Sequence, residues 1–309
     1  MQSNNKTTRE YLNMSLEQQV FLVTGCSSGF GFHLAERFLA QGHKVAVTAR
    51  DVTKVSGFEK KYPQTALSLA LDVTNQISRT NAIAKTIEKF GRIDVLINNA
   101  GFSIFTAAEN FTEQEFRSVM ETNFFGAMFM SQAVVPIMRK QRSGTIIQIT
   151  STMGVAAYAS ASAYCASKFA LEGFSEALAM EVAPHGIRVI IAEPGSFKTS
   201  FGDKLIQPTS LDLESYDSIK QFFAMYQAIK GLEPGDPERF AVAIEKILSL
   251  EKPPLRIPLG NDAIHLVRTH ANQQLADLEK FKEISTSTDF DPMPEATLAF
   301  MKNLIQQQI

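Results

Sequence analysis

Tryptophan is absent from the 309 residues, and cysteine occurs only twice, as Cys26 and Cys165. Two thiols so far apart in sequence argue against a disulfide framework and point to a reducing, cytoplasmic compartment. A basic excess is also missing: 30 Lys and Arg against 32 Asp and Glu give a net charge of -2 and a pI near 6.2, with no dense basic run. Nucleic acid is therefore not expected as a partner. No apolar run approaches the roughly 18 residues of a membrane span, and the first nineteen residues are polar without an apolar core of signal-peptide length, so neither spanning nor secretion is expected. The five histidines, His33, His43, His185, His265 and His270, lack metal-ligand spacing, and no metal site is expected. What is abundant is hydrophobic content, 45% over a length sufficient for one large α/β domain or two small ones.

The most informative stretch is ITSTMGVAAYASASAYCASK, where Tyr164 stands thirteen residues after Ser151 and four before Lys168. In a helix, Lys168 falls one turn along on the same face as Tyr164. An ordinary phenol, with a pKa of about 10, is a poor proton carrier at neutral pH; an adjacent ammonium that favours phenolate makes it a usable acid and base.

From Val20 to Ile191 short β-branched runs alternate with stretches of helical period: VFLVTG, FGFHLAERFLAQG, KVAVTAR, ALSLALDV, ISRTNAIAKTIEKFG, IDVLINNAG. That alternation predicts a parallel sheet with crossover helices. Thr112 and Glu115 have capping-box spacing and predict a long helix through Asn123 with Pro136 near its end. The strand GTIIQITS follows, and a second long helix runs from Ser162 through Glu181. After Pro194 the pattern loosens into turn residues and short apolar clusters, read as a lid over 196–235 with one or two small helices. A helix PERFAVAIEKILSL, a short edge strand LRIPLG and a helical tail complete the chain. The expected organisation is a polar extension over 1–18, a nucleotide-binding domain over 19–260, and a helical extension over 261–309 packed on that domain.

VTGCSSGFG joins the first strand to the first helix, and its glycines allow a tight turn whose backbone amides approach a pyrophosphate at the helix N-terminus. Asp72 in LALDV is placed to accept from an adenine amino group, and Asn98, Ala100 and Gly101 in INNAG close the fourth strand near the adenine ribose. Turn chemistry would equally explain both segments. The second strand ends with Ala49 and Arg50, a guanidinium near the position of the acid that an NAD-selective protein offers to the ribose 2′-hydroxyl. NADP(H) is preferred on that ground, with NAD(H) the alternative because Asp51 is adjacent.

TGCSSGFG, LDV, NNAG, NFFG, the serine before YCASK, and EPGSFKT together resemble, in order and spacing, the short-chain dehydrogenase/reductase family over residues 19 to 200. Within it, TGCSSGFG followed by an arginine after the second strand resembles the branch with hydroxysteroid and retinol dehydrogenases and uncharacterised bacterial oxidoreductases. The resemblance implies a single Rossmann-fold domain, α/β, with a doubly wound parallel sheet of about seven strands and helices on both faces. It also implies a catalytic tetrad of Asn123, Ser151, Tyr164 and Lys168, with the serine polarising the substrate oxygen and the tyrosine passing the proton. The lysine binds the nicotinamide ribose and lowers the tyrosine pKa, and the asparagine holds a water linking lysine to solvent. The implied cofactor contacts are Thr24, Gly25, Ser27, Ser28, Gly29, Phe30 and Gly31 in the first turn; Arg50, Asp72 and Val73; Asn99, Ala100 and Gly101; Tyr164 and Lys168; and Pro194, Gly195, Phe197 and Thr199.

The aromatic and aliphatic residues around these motifs, Phe102, Met153, Tyr158 and Phe201 foremost, suggest a pocket for a lipophilic carbonyl or alcohol substrate. Two other functions are weighed against this one: a non-catalytic NADP(H)-binding sensor or scaffold, and a ketoacyl-thioester reductase, for which Lys198 and Lys204 are the only nearby cations. A homodimer or homotetramer is expected, by analogy with relatives that pair through their long helices.

Overall fold

The computed structural model describes residues 18–201 and 216–308; residues 1–17 of the expected N-terminal extension and residues 202–215 of the expected lid lie outside the described residues. Contacts divide the chain into two units, Met1–Val267 and Arg268–Ile309.

In the first unit, β1 (Val20–Val23) leads through the TGCSSGFG turn into α1 (Gly29–Ala40) and β2 (Lys44–Ala49). A short helix α2 (Ser56–Lys61) precedes β3 (Ala66–Ala70), and α3 (Gln76–Phe90) leads to β4 (Val95–Asn98). Next come α4 (Glu113–Met120), a π-helical turn (Glu121–Gly126), α5 (Ala127–Gln141), β5 (Gly144–Ile149), α6 (Ser162–Val182) and β6 (Ile187–Pro194). The chain continues through α7 (Asp217–Ile229), α8 (Pro237–Ser249), β7 (Arg256–Leu259) and α9 (Asn261–Lys280), whose first turns belong to this unit. The second unit holds the rest of α9 with α10 (Lys282–Thr286) and α11 (Glu295–Gln308). None of the described helices is long and apolar enough to cross a membrane.

The strands form one seven-stranded parallel sheet in the order β3-β2-β1-β4-β5-β6-β7, as the alternating pattern implies, with LRIPLG supplying the edge strand. β1 and β4 are buried along their whole length, because helices cover both faces and such strands need near-continuous apolar runs. On one face Phe21, Leu34, Phe38, Phe240 and Ile244 join β1 to α1 and α8; on the other Leu22, Leu96, Met130, Val134, Ile146 and Leu178 join the sheet to α5 and α6. Each fully buried side chain of this kind contributes about 1.5–3 kcal/mol. Strand order reverses between β1 and β4, which opens a crevice at their carboxyl ends.

One expected element differs. The capping box at Thr112 and Glu115 is present, Thr112 Oγ1 accepting from Glu115 N at 3.2 Å and Glu115 Oε2 from Thr112 N at 2.9 Å. The helix it starts widens into the π-helical turn around Asn123 before α5 resumes, and Pro136 lies inside α5. The widening occurs where the Asn123 side chain is tied to the neighbouring loop and to α6, and such bulges recur at functional sites.

Candidate active site

A cavity of about 740 Å³ opens at the reversal point, lined at one end by the first glycine turn and Arg50 and at the other by Ser151, Tyr158, Tyr164 and α7. Its floor is a lock between two motifs. Thr24 Oγ1 donates to Ile97 O and accepts from Asn99 N at 2.9 Å and Ala100 N at 3.0 Å, while Asn99 Nδ2 donates to Thr24 O at 2.9 Å and Gly25 O at 3.0 Å. TGCSSGFG and NNAG thus hold each other, and Gly25 turns with φ +73°, a left-handed conformation suited to glycine. Asn98 points the other way, into the core, where its amide donates to Ala127 O, Ser131 Oγ and Gln148 Oε1. It does not line the cavity; Asn99 and Ala100 do.

Ser27, Ser28, Gly29 and Phe30 present the N-terminus of α1 to the cavity, and Thr199 closes over it, since a Cβ on Gly29 would lie 3.6 Å from Thr199 Cβ. A helix N-terminus that opens into a cavity is a cradle for a pyrophosphate, and the glycines and serines present fit that group. Asp72 and Val73 line the cavity, with Asp72 Oδ1 also accepting from Thr74 N at 2.9 Å, so the turn chemistry and the lining position coexist. Arg50 is exposed at the cavity wall. Asp51 is turned to its own backbone instead, Oδ1 accepting from Thr53 N at 3.0 Å and Thr53 Oγ1 at 2.6 Å, and it is not among the lining residues.

At the other end, α6 carries Tyr164 and Lys168 on one buried face, with the Lys168 Nζ 5.6 Å from the centre of the Tyr164 ring. Lys168 Nζ donates to Ile149 O at 2.8 Å. Ser151 caps the short turn Thr152–Gly154, its Oγ accepting from Met153 N at 3.1 Å. Gly101 sits between Asn123 and Lys168: a Cβ there would lie 3.2 Å from Asn123 Oδ1 and 3.7 Å from Lys168 Nζ. The structure therefore brings all four residues of the expected tetrad to one place. Asn123 uses both amide hydrogens on protein, donating to Phe102 O at 2.9 Å and Ser167 Oγ at 3.0 Å, while its Oδ1 accepts from Phe102 N at 3.0 Å. Its side chain is a clamp between loop and helix.

The electrostatics differ from the simple pairing of ammonium and phenolate. Burial pushes the Tyr164 phenol above its ordinary value, with the Ser151 hydroxyl opposing, and pulls the Lys168 ammonium down to about 8, with Glu172 opposing. The lysine sits over the ring face and directs a hydrogen bond to a carbonyl. A raised phenol favours the protonated form, the state required of a proton donor.

The pocket beyond Tyr164 is apolar. Phe222, Met225, Tyr226 and Ile229 recur at helical spacing on α7 and line it, with Phe222 stacked on Phe105 at 5.3 Å. Phe102, Met153, Tyr158 and Phe201 also line it, the Phe201 ring 5.6 Å from Tyr164. Phe197 borders the cavity but packs mainly inward, against Phe30 and Phe240. Pro194 and Gly195 form the remaining wall, held by a residue that sequence reasoning missed: Asp262 Oδ2, in the first turn of α9, accepts from Ser196 N at 2.6 Å. A partner 66 residues away leaves no local signal. Of the two cations considered near the mouth, Lys198 is exposed and Lys204 lies outside the described residues.

The family model described as short chain dehydrogenase matches residues 19–210. A 3-ketodihydrosphingosine reductase of Bacteroides thetaiotaomicron is 41% identical over 247 residues, spanning 79% of this chain and 89% of that protein. Human retinol dehydrogenase 8 is 32% identical over 257 residues, 79% of this chain and 82% of that one. A crystal structure of a short-chain dehydrogenase from Streptomyces avermitilis superposes with a TM-score of 0.81 at 37% identity, covering 89% of this chain and all of the other.

Proposed function

The chain belongs to the short-chain dehydrogenase family, oxidoreductases that use NAD(P)(H), and from that premise we propose that it is an NADP(H)-dependent reductase of a lipophilic carbonyl compound, the reaction being reversible to the alcohol. The observation that carries this reading is the single cavity that has a glycine turn and Arg50 at one end and Ser151, Tyr164 and Lys168 at the other. Bound in it, the dihydronicotinamide supplies a hydride. Arriving at a carbonyl carbon, a hydride generates an alkoxide that needs a hydrogen-bond donor and a proton. Ser151 Oγ–H donates to the substrate oxygen, and the phenol of Tyr164 passes its proton to it. Lys168 would hold the cofactor ribose and return a proton to Tyr164, taking one from solvent in turn. Asn123 positions both by clamping Phe102 and Ser167. Thr199, with Pro194 and Gly195, lines the cavity where it would hold the nicotinamide side.

The apolar wall from α7 supports a lipophilic substrate, and two relatives are named for such compounds, 3-ketodihydrosphingosine and retinol. NADP(H) is favoured because Arg50 faces the cavity while Asp51 caps its own turn. Arg50→Ala is expected to lower kcat/KM for NADPH roughly tenfold, the scale of one exposed charge-assisted contact, and to leave NADH nearly unaffected. Steady-state rates with both cofactors against ketones of increasing chain length test this; an NADH preference in the wild type would overturn the assignment. We also propose that the protein assembles as a homodimer or homotetramer. Light scattering at micromolar protein should give a multiple of the 34.1 kDa chain, and a monomer would refute it.

A further inference from the structure

Behind Lys168, one helical turn further along α6, lies a carboxylate that the reaction as written does not use. Glu172 is 5% exposed and Glu193, on β6 immediately before Pro194, is 1% exposed. Carboxylates are rarely buried this deeply unless paired. Among the described residues the guanidinium that meets them is Arg256 of β7, whose Nε lies 3.0 Å from Glu172 Oε2 and 3.8 Å from Glu193 Oε1, and whose other end serves Glu176 at 3.1 Å. The Oε1 atoms of both Glu172 and Glu193 are buried with no hydrogen-bond partner. Glu172 is also fixed beside the active site: a Cβ on Gly154, in the turn that Ser151 caps, would lie 3.2 Å from both Glu172 Cγ and Lys168 Cβ.

We propose that Glu172 is the counter-charge that keeps Lys168 an ammonium, and that Glu172 and Glu193 form, under Arg256, a positioning unit that holds one proton between them. The groups facing this unit are Lys168 and Glu176 from α6 and Arg256 from β7; the end of β5 and the Ser151 turn bring backbone and hydroxyls but no further charge. With one proton on the pair, these five side chains are together neutral. With none, three carboxylates face two cations, and with two, Lys168 loses its counter-charge. Burial and the neighbouring Glu172 raise Glu193 to about 7, burial raises Glu172, and Glu172 is the one group that opposes the fall of Lys168. The unit touches three parts of the site at once, since Glu172 shares a helix face with Lys168, Gly154 ends the Ser151 turn, and Glu193 begins the Pro194–Gly195 wall.

This inference rests on Lys168 acting in the reduction, and the test separates the two. The pH dependence of kcat/KM for NADPH-driven ketone reduction is measured for the wild type, Glu172→Gln and Glu193→Gln, with the thermal midpoint of each. In the wild type the alkaline limb falls near the Lys168 value of about 8. Glu172→Gln should move that limb down by about one pH unit and raise KM for NADPH roughly fivefold at pH 8, with activity at pH 6 within about twofold of wild type, because an opposite charge nearby favours the ammonium. Glu193→Gln should keep the limb and lose the ionisation near 7. If Glu172→Gln does not fold, Arg256→Gln replaces it and should also move the limb downward, since Arg256 is what holds Glu172 as an anion. A purely structural pair would lower thermal midpoints while the profiles superimpose, and that result overturns the proposal. A wild type with no turnover would instead overturn the assignment of the reaction.

Discussion

Tyr164→Phe should reduce turnover by about a thousandfold, the middle of the range that one positioned acid or base contributes, while leaving NADPH affinity within a few-fold. The physical reason lies in what the phenol alone supplies. Its ring packs near Phe201 and beneath the Lys168 ammonium, and phenylalanine keeps that packing. Only the transferable proton is removed. The Ser151 hydroxyl cannot replace it, because a serine hydroxyl is about as weak an acid as the alcohol being formed and can share a hydrogen bond with the nascent alkoxide without a driving force for proton transfer, whereas a phenol is a stronger acid than that alcohol. Cofactor titration by fluorescence alongside steady-state rates separates the two effects. Unchanged turnover would remove Tyr164 from the chemistry, and a large loss of NADPH affinity would make it a binding residue.

Gly31→Ala should abolish cofactor binding, with an affinity loss of at least about a hundredfold, and should lower stability by about 1–3 kcal/mol as overpacking does. A Cβ at position 31 would stand 2.4 Å from Gly25 O and 2.6 Å from Asn99 Nδ2. Neither atom is a flexible side-chain end free to withdraw: Gly25 O is backbone, and Asn99 Nδ2 donates to that same oxygen and to Thr24 O. The methyl therefore forces open the contact that joins the first turn to NNAG, and the amides at the start of α1 lose their alignment toward a phosphate. Equilibrium dialysis with NADPH and a thermal melt check both halves. A variant that melts like the wild type and binds NADPH normally would show that the turn tolerates what the geometry forbids.

The sheet, its parallel strands and the position of the edge strand were legible because buried parallel strands need continuous apolar runs and their crossover helices need amphipathic ones, and both patterns are carried by local residues. The nearness of Ser151, Tyr164 and Lys168 was legible for a similar reason: Tyr164 and Lys168 are one helical turn apart, and Ser151 follows the strand before them. Three features were not. The π-helical turn at Asn123 arises from hydrogen bonds to Phe102 and Ser167, residues 21 and 44 positions away, which no local window contains. Asp262 reaches Ser196 only once β7 has joined the sheet beside β6. The extent of burial around Tyr164 and Lys168 was not legible either, because spacing shows who is adjacent but not how far water is excluded, and burial raises the phenol and lowers the ammonium.

The most direct test is to add NADPH to the purified protein, measure its binding, and in the same sample follow NADPH oxidation against a panel of long-chain ketones and aldehydes. The account predicts tight NADPH binding, weaker NADH binding, and oxidation of NADPH that depends on the carbonyl compound. Tight binding with no turnover across the panel would contradict it and identify a protein that holds the cofactor without using it.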